Sequence, residues 1–132
     1  MTSPVLAAAQ PVGESGPDAR TGRWTARFSV SVAADEPVFA GHYPHLPIFP
    51  GVCVLECARS AAEAAPPPEA GPLRLAAVES GRFLAAVRPG EVLDIEVTWI
   101  PREDGWRCNA KVATAGGPAA SARFHYRQGA DT

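Results

Sequence analysis

The sequence predicts an α+β domain in which an antiparallel sheet packs on one long helix. Three observations carry that expectation. Residues 23–32 alternate, with Trp24, Ala26, Phe28, Val30 and Val32 on one side and Thr25, Arg27, Ser29 and Ser31 on the other. Period two over such a length argues a strand with one buried face. Residues 51–65 run without a breaker, rich in Ala, until Pro66-Pro67-Pro68 stop them. That is one helix, and its many alanines let a curved sheet come close. From residue 73 onward, strand patterns follow one another with turn signals between them.

Taken in order, residues 1–20 are poorly patterned. A short strand fits 5–9, and Pro11, Gly13, Gly16 and Pro17 place 10–22 in a loop or mobile arm. The strand at 23–32 leads into a stiff segment. There Pro44, Pro47 and Pro50 remove backbone donors and push their predecessors to extended geometry. The helix follows. Residues 73–78 read as a strand, continued by 81–84 after a bulge, and Pro89-Gly90 is a turn. Residues 92–100 alternate again, Asp104-Gly105 is a hairpin signal, and 106–115 give another strand. Gly116-Gly117-Pro118 turns the chain into a last strand at 119–127, and 128–132 is a frayed tail. No internal repeat is present.

Composition bounds the function. A chain of 132 residues, 46% hydrophobic and 20% charged, suits one globular domain over 1–132. A net charge of −2 offers no bulk attraction for nucleic acid. No run approaches the roughly 20 apolar residues of a membrane span, and no basic start precedes an apolar core, so a cytoplasmic protein is expected. Cys53, Cys57 and Cys108 lack metal-site spacing; Cys53 and Cys57 stack on one helix face and read as small buried thiols.

The chemistry concentrates at residues 39–65. His42 titrates near neutrality and can act as a general base. Glu56 lies in the first two turns of the helix. The amides of Gly51 and Val52, at the positive helix end, are unsatisfied within the helix and can polarise a carbonyl. A base, a carboxyl group and a carbonyl-binding amide are the parts needed to eliminate water next to a carbonyl. A lone His in a Pro-rich loop is more often structural, and a Glu on an Ala-rich helix more often solvated, so residue types alone leave these roles open.

The stretch Asp35-Glu36-Pro37-Val38-Phe39-Ala40-Gly41-His42-Tyr43-Pro44-His45-Leu46-Pro47-Ile48-Phe49-Pro50-Gly51-Val52-Cys53-Val54-Leu55-Glu56 resembles, without a gap, the FabZ-type (3R)-hydroxyacyl-[acyl carrier protein] dehydratases of the hotdog fold. The family pattern is Asn/Asp-Glu-Pro-x-Phe-x-Gly-His-Phe-Pro-x-x-Pro-Ile/Val-x-Pro-Gly-Val-x-x-x-Glu. A second block, Val78-Glu79-Ser80-Gly81-Arg82-Phe83 and then Val87-Arg88-Pro89-Gly90-Glu91, resembles the family's Ala-Arg-Phe strand end and Val-x-Pro-Gly-Asp turn. The resemblance implies a curved antiparallel sheet wrapped around the helix. It implies His42 and Glu56 as catalytic, and Gly51 with Val52 as amides facing a thioester carbonyl. The substrate would be a 3-hydroxyacyl chain on the phosphopantetheine of an acyl carrier protein, with no metal or redox cofactor. The site would sit at a dimer interface, in a homodimer, a larger dimer-based assembly, or a heterodimer with a homologue.

Departures are informative. Ser60 stands where the family often has Gln, and Arg59 where it tends to have a small residue; both fall at the expected substrate site. Arg59, three residues from Glu56, is placed to pair with it, which favours the carboxylate and hinders proton donation. Glu63 is placed to compete for Arg59. The His-Arg-Tyr/Phe-Pro-Phe segment that precedes the family's first strand is not found. His45 reads as a loop residue, the three Trp as packing, and His125 as solvent-facing. Arg74, Arg82, Arg88 and Arg102 read equally as a patch for an acidic carrier protein or as scattered surface charge.

The expectation is therefore a dehydratase forming trans-2-enoyl thioesters in fatty acid biosynthesis or, favoured by the departures, a specialised polyketide pathway. The alternatives are a non-catalytic or half-site subunit of a hetero-oligomeric dehydratase, and a hotdog thioesterase.

Overall fold

A computed structural model describes residues 8–33 and 49–129. The segment 34–48, which carries His42 and His45, lies outside the described residues, as do 1–7 and 130–132. Two short strands, β1 (Gln10–Pro11) and β2 (Gly16–Pro17), precede β3 (Trp24–Ser31). The helix α1 (Gly51–Ala64) follows, with a short 3-10 turn at Pro68–Ala70. Then come β4 (Leu73–Phe83), β5 (Val92–Arg102), β6 (Gly105–Thr114) and β7 (Gly117–Gln128).

All seven strands form one antiparallel sheet in the order β1-β3-β5-β6-β7-β4, with β2 also on β3. The alternation in β3 and β5 turns Ala26, Phe28, Val30, Leu93, Ile95, Val97 and Trp99 inward, where they are buried. Against them lies α1, burying Cys53, Val54, Cys57, Ala58, Ala61 and Ala62. Fourteen residues would be marginal as an isolated helix. The apolar face supplies the stability, and each fully buried side chain such as Leu93 or Ile95 contributes about 1.5–3 kcal/mol. Beneath the helix's C-terminal end Trp99 packs on Tyr126, ring centroids 5.1 Å apart.

Several expectations need correction. Residues 10–22 are not simply a loop, because β1 and β2 pair with β3. Of the strand expected at 5–9, residues 8 and 9 are not extended ladder and the rest lies outside the described residues. β4 runs unbroken through two register shifts rather than one bulge. Both hairpins turn earlier than expected: Arg102 pairs with Gly105 around Glu103-Asp104, and Thr114 with Gly117 around Ala115-Gly116. Pro118 is tolerated inside β7 because it sits where the ladder with β6 slips. Gln128 belongs to β7, and the Gly129 amide donates to the Pro72 carbonyl at 2.9 Å. His125 points outward, yet its side chain is only 17% exposed, since Nε2 meets Asp104 Oδ1 at 3.1 Å.

Candidate active site

The helix start is built without a side-chain cap. Pro50 occupies the capping position in extended geometry, and its carbonyl accepts from the Cys53 and Val54 amides at 2.9 and 3.1 Å. The Gly51 and Val52 amides precede these and have no acceptor within the helix. Gly51 lets a ring sit close: a Cβ there would come 2.8 Å from the ring of Phe83, which would have to turn aside. Phe83, on the edge strand β4, thus lies directly on the helix start. A cleft of about 540 Å³ opens beside it, walled by Gly51, Val54, Phe83, Leu84 and Val87. Val52 is 67% exposed.

Glu56 lines a different groove, of about 310 Å³, with Val52, Leu55, Arg59, Leu75, Val78 and Phe124. Apart from Glu56 and Arg59 its walls are apolar. Glu56 is 13% exposed and bound bidentately by Arg59. Nε of Arg59 donates to Oε1 at 2.7 Å, and Nη2 donates to both carboxylate oxygens, with 2.9 Å to Oε2. Glu63 does not draw Arg59 away. A guanidinium carries five donors in a planar fork, so Nη1 reaches Glu63 Oε2 at 2.9 Å while the rest of the fork holds Glu56. The same Glu63 oxygen accepts from the Tyr126 hydroxyl at 2.9 Å.

Burial works against the Arg59 charge, but the hydrogen bonds it donates to Glu63 and Glu56, with their charges, outweigh it and hold its pKa above the ordinary value. Burial pushes the Tyr126 phenol well above its usual range, and the Glu63 charge adds to that, so the hydroxyl remains a donor. Burial likewise raises the Cys108 thiol.

Sequence reasoning placed Glu56 and Arg59 together because a helix brings i and i+3 to one face. It missed Tyr126. The available signal was its inward position on β7, since a buried phenol has to find a partner. Ser60 is exposed and does not line the Glu56 groove. His42 lies outside the described residues. The four arginines do not converge. Arg74 and Arg82 are eight positions apart on β4, about 26 Å at strand rise. Among the described residues no group of three metal-ligating side chains occurs, and no helix is long and apolar enough to cross a membrane.

One helix cradled by a curved antiparallel sheet is the hotdog fold, and solved structures agree with that. The chain superposes on the dehydratase heterocomplex ApeI:P from Xenorhabdus doucetiae with a TM-score of 0.68 at 16% identity, covering 90% of this chain and 99% of that one. For smu.793 from Streptococcus mutans, solved bound to acetyl CoA, the TM-score is 0.71 at 12% identity over 90% and 86% of the two chains. A family model described as ApeI dehydratase matches residues 18–121, and the chain belongs to this ApeI-like family. Among curated proteins, it is 42% identical over 79 residues to the 3-hydroxyacyl-[acyl-carrier-protein] dehydratase FabZ of Symbiobacterium thermophilum, covering 57% of this chain and 56% of that one. It is 49% identical over 70 residues to the FabZ of Chloroflexus aggregans, over 50% and 49% of the two chains. The chain thus spans about half the length of the curated relatives it matches.

Proposed function

We propose that this protein dehydrates 3-hydroxyacyl thioesters of an acyl carrier protein to trans-2-enoyl thioesters, in fatty acid or specialised polyketide biosynthesis, without a metal or redox cofactor. The observation that carries the reading is Glu56, a carboxylate that with its partner Arg59 is set in an otherwise apolar groove, one and a half turns from a helix start without a side-chain cap. Family membership and the FabZ relatives support it. His42, by resemblance, takes the α-proton; the Gly51 and Val52 amides steady the enolate-like oxygen; the β-hydroxyl leaves as water beside Glu56.

Gly51 and Glu56 line separate clefts of the single chain. That supports a site completed by a second protomer, as the resemblance implies. The exposed Val52, Val78, Phe83 and Leu84 supply an apolar surface for it. A second copy of this chain is the simplest partner. The similarity to a chain of a dehydratase heterocomplex favours, as second reading, a homologous partner that contributes half of the site.

Intact mass of a 3-hydroxyacyl carrier protein incubated with the purified chain tests this. Loss of one water is expected, reduced about 10²–10⁴-fold in His42→Ala and in Glu56→Ala. No loss over several chain lengths, with or without a homologous partner, would overturn the dehydratase reading. Appearance of the free carrier thiol would replace it with a thioesterase.

A further inference from the structure

We infer that Arg59, braced by Glu63 and Tyr126, is a positioning residue that holds Glu56 as an oriented carboxylate, so that Glu56 accepts from the substrate hydroxyl instead of protonating it. The inference rests on the dehydratase reading for its catalytic consequence, and on geometry for the clamp itself.

The four side chains form one line from the core to the groove. Tyr126 is fully buried under the helix, and its hydroxyl donates to Glu63 at 2.9 Å. Glu63 holds Nη1 of Arg59 at 2.9 Å, and Nε with Nη2 hold Glu56. Glu56, Arg59 and Glu63 share one rigid helix, while Tyr126 anchors the line to β7. Without Tyr126 the outer carboxylate, 41% exposed, would have little to fix it. Without Arg59, Glu56 would be a carboxylate among Val52, Leu55, Leu75, Val78 and Phe124 with no partner from these walls. An ionised group in such walls needs one. The planar fork also sets the plane of the carboxylate, which a single-point cation does not.

The chemical consequence concerns proton flow. Both oxygens of Glu56 already accept from Arg59, and their remaining lone pairs can accept the β-hydroxyl. The proton that departs with that hydroxyl then comes from the conjugate acid of the general base. The α C–H and β C–O bonds break, the C=C bond forms, and the proton taken from carbon leaves in the water.

Two measurements on the full chain test this. In protein labelled with ¹⁵N-arginine, Arg59 should show a downfield, slowly exchanging Nε–H resonance that is lost in Glu56→Ala and broadened in Tyr126→Phe. An Nε–H exchanging as fast as that of a free arginine would overturn the clamp. Turnover of a 3-hydroxyoctanoyl pantetheine thioester supplies the second readout. Arg59→Ala should lower kcat about 10–100-fold with little change in KM, as misorientation of a reacting group does. Arg59→Lys should recover part of the loss, and guanidinium at non-denaturing concentration more of it in Arg59→Ala. An unchanged or raised kcat in Arg59→Ala, or a loss that neither Lys nor guanidinium relieves, would overturn the positioning role. A wild-type chain that shows the protected Nε–H but dehydrates no 3-hydroxyacyl thioester over several chain lengths, with or without a homologous partner, would refute the dehydratase reading and leave the clamp standing.

Discussion

Gly105 opens β6 with φ 153°, and a Cβ there would run into the backbone oxygen of Tyr126 and come 2.9 Å from Arg127 Cα. Backbone is on the receiving end, so no side chain can swing away. Gly105→Ala should therefore destabilise by at least about 2 kcal/mol, measured as a lower urea midpoint. Because the displaced neighbour is Tyr126, the same substitution should also loosen the brace on Glu63. At this scale the sequence was half legible. A hairpin glycine and an i,i+3 Glu–Arg pair are local patterns. The Tyr126–Glu63 bond joins residues 63 apart in the chain, and only tertiary packing sets it.

The β5–β6 hairpin is fastened to β7 by Asp104, which meets His125 at 3.1 Å and Arg127 at 3.5 Å. The hydrogen bond from His125 chiefly, and the charges of His125 and Arg127, hold the Asp104 carboxyl below its ordinary value of 3.8. A lowered folded-state pKa stabilises above the unfolded value and fades as pH falls through the folded one. Wild type should thus exceed Asp104→Asn in urea midpoint at pH 6, and the gap should close as the solution is acidified below pH 4. Among the elements, β3, β5 and β7 were readable because each buries one face and so alternates. β4 was readable from its apolar run but not as one unbroken strand. Only its Leu73 and Leu75 pack on the core, Val78 and Phe83 are about half exposed, and its ladder with β7 shifts register twice, so no steady period-two signal marks its length. The two-residue strands β1 and β2 are too short to carry any period.

At the scale of the molecule, among the described residues the eleven-residue strand β4 ends the sheet with one ladder filled, by β7, and the other without a partner strand. A long edge that exposes Val78 and Phe83 invites another chain. We expect a dimer in which this edge and the exposed Val52 are covered, and a Val78→Lys variant that light scattering reports as monomer while its circular dichroism stays native. Fold class could be read from pattern alone. The division of Gly51 and Glu56 between two clefts could not, because it depends on how far β4 and Phe83 ride over the helix start.

The sheet order also fixes a timetable. β4 is completed at residue 83, yet the strand it pairs with, β7, begins at residue 117. During synthesis at the ribosome, Val78 and Phe83 therefore emerge well before their ladder partner exists. Strands β5 and β6 can meanwhile fold onto β3 and the helix. The apolar edge strand must wait through that interval, and only the arrival of β7 lets it dock. The interval is the nascent chain's period of greatest exposure to misassociation, and chaperone binding to this chain should be concentrated there.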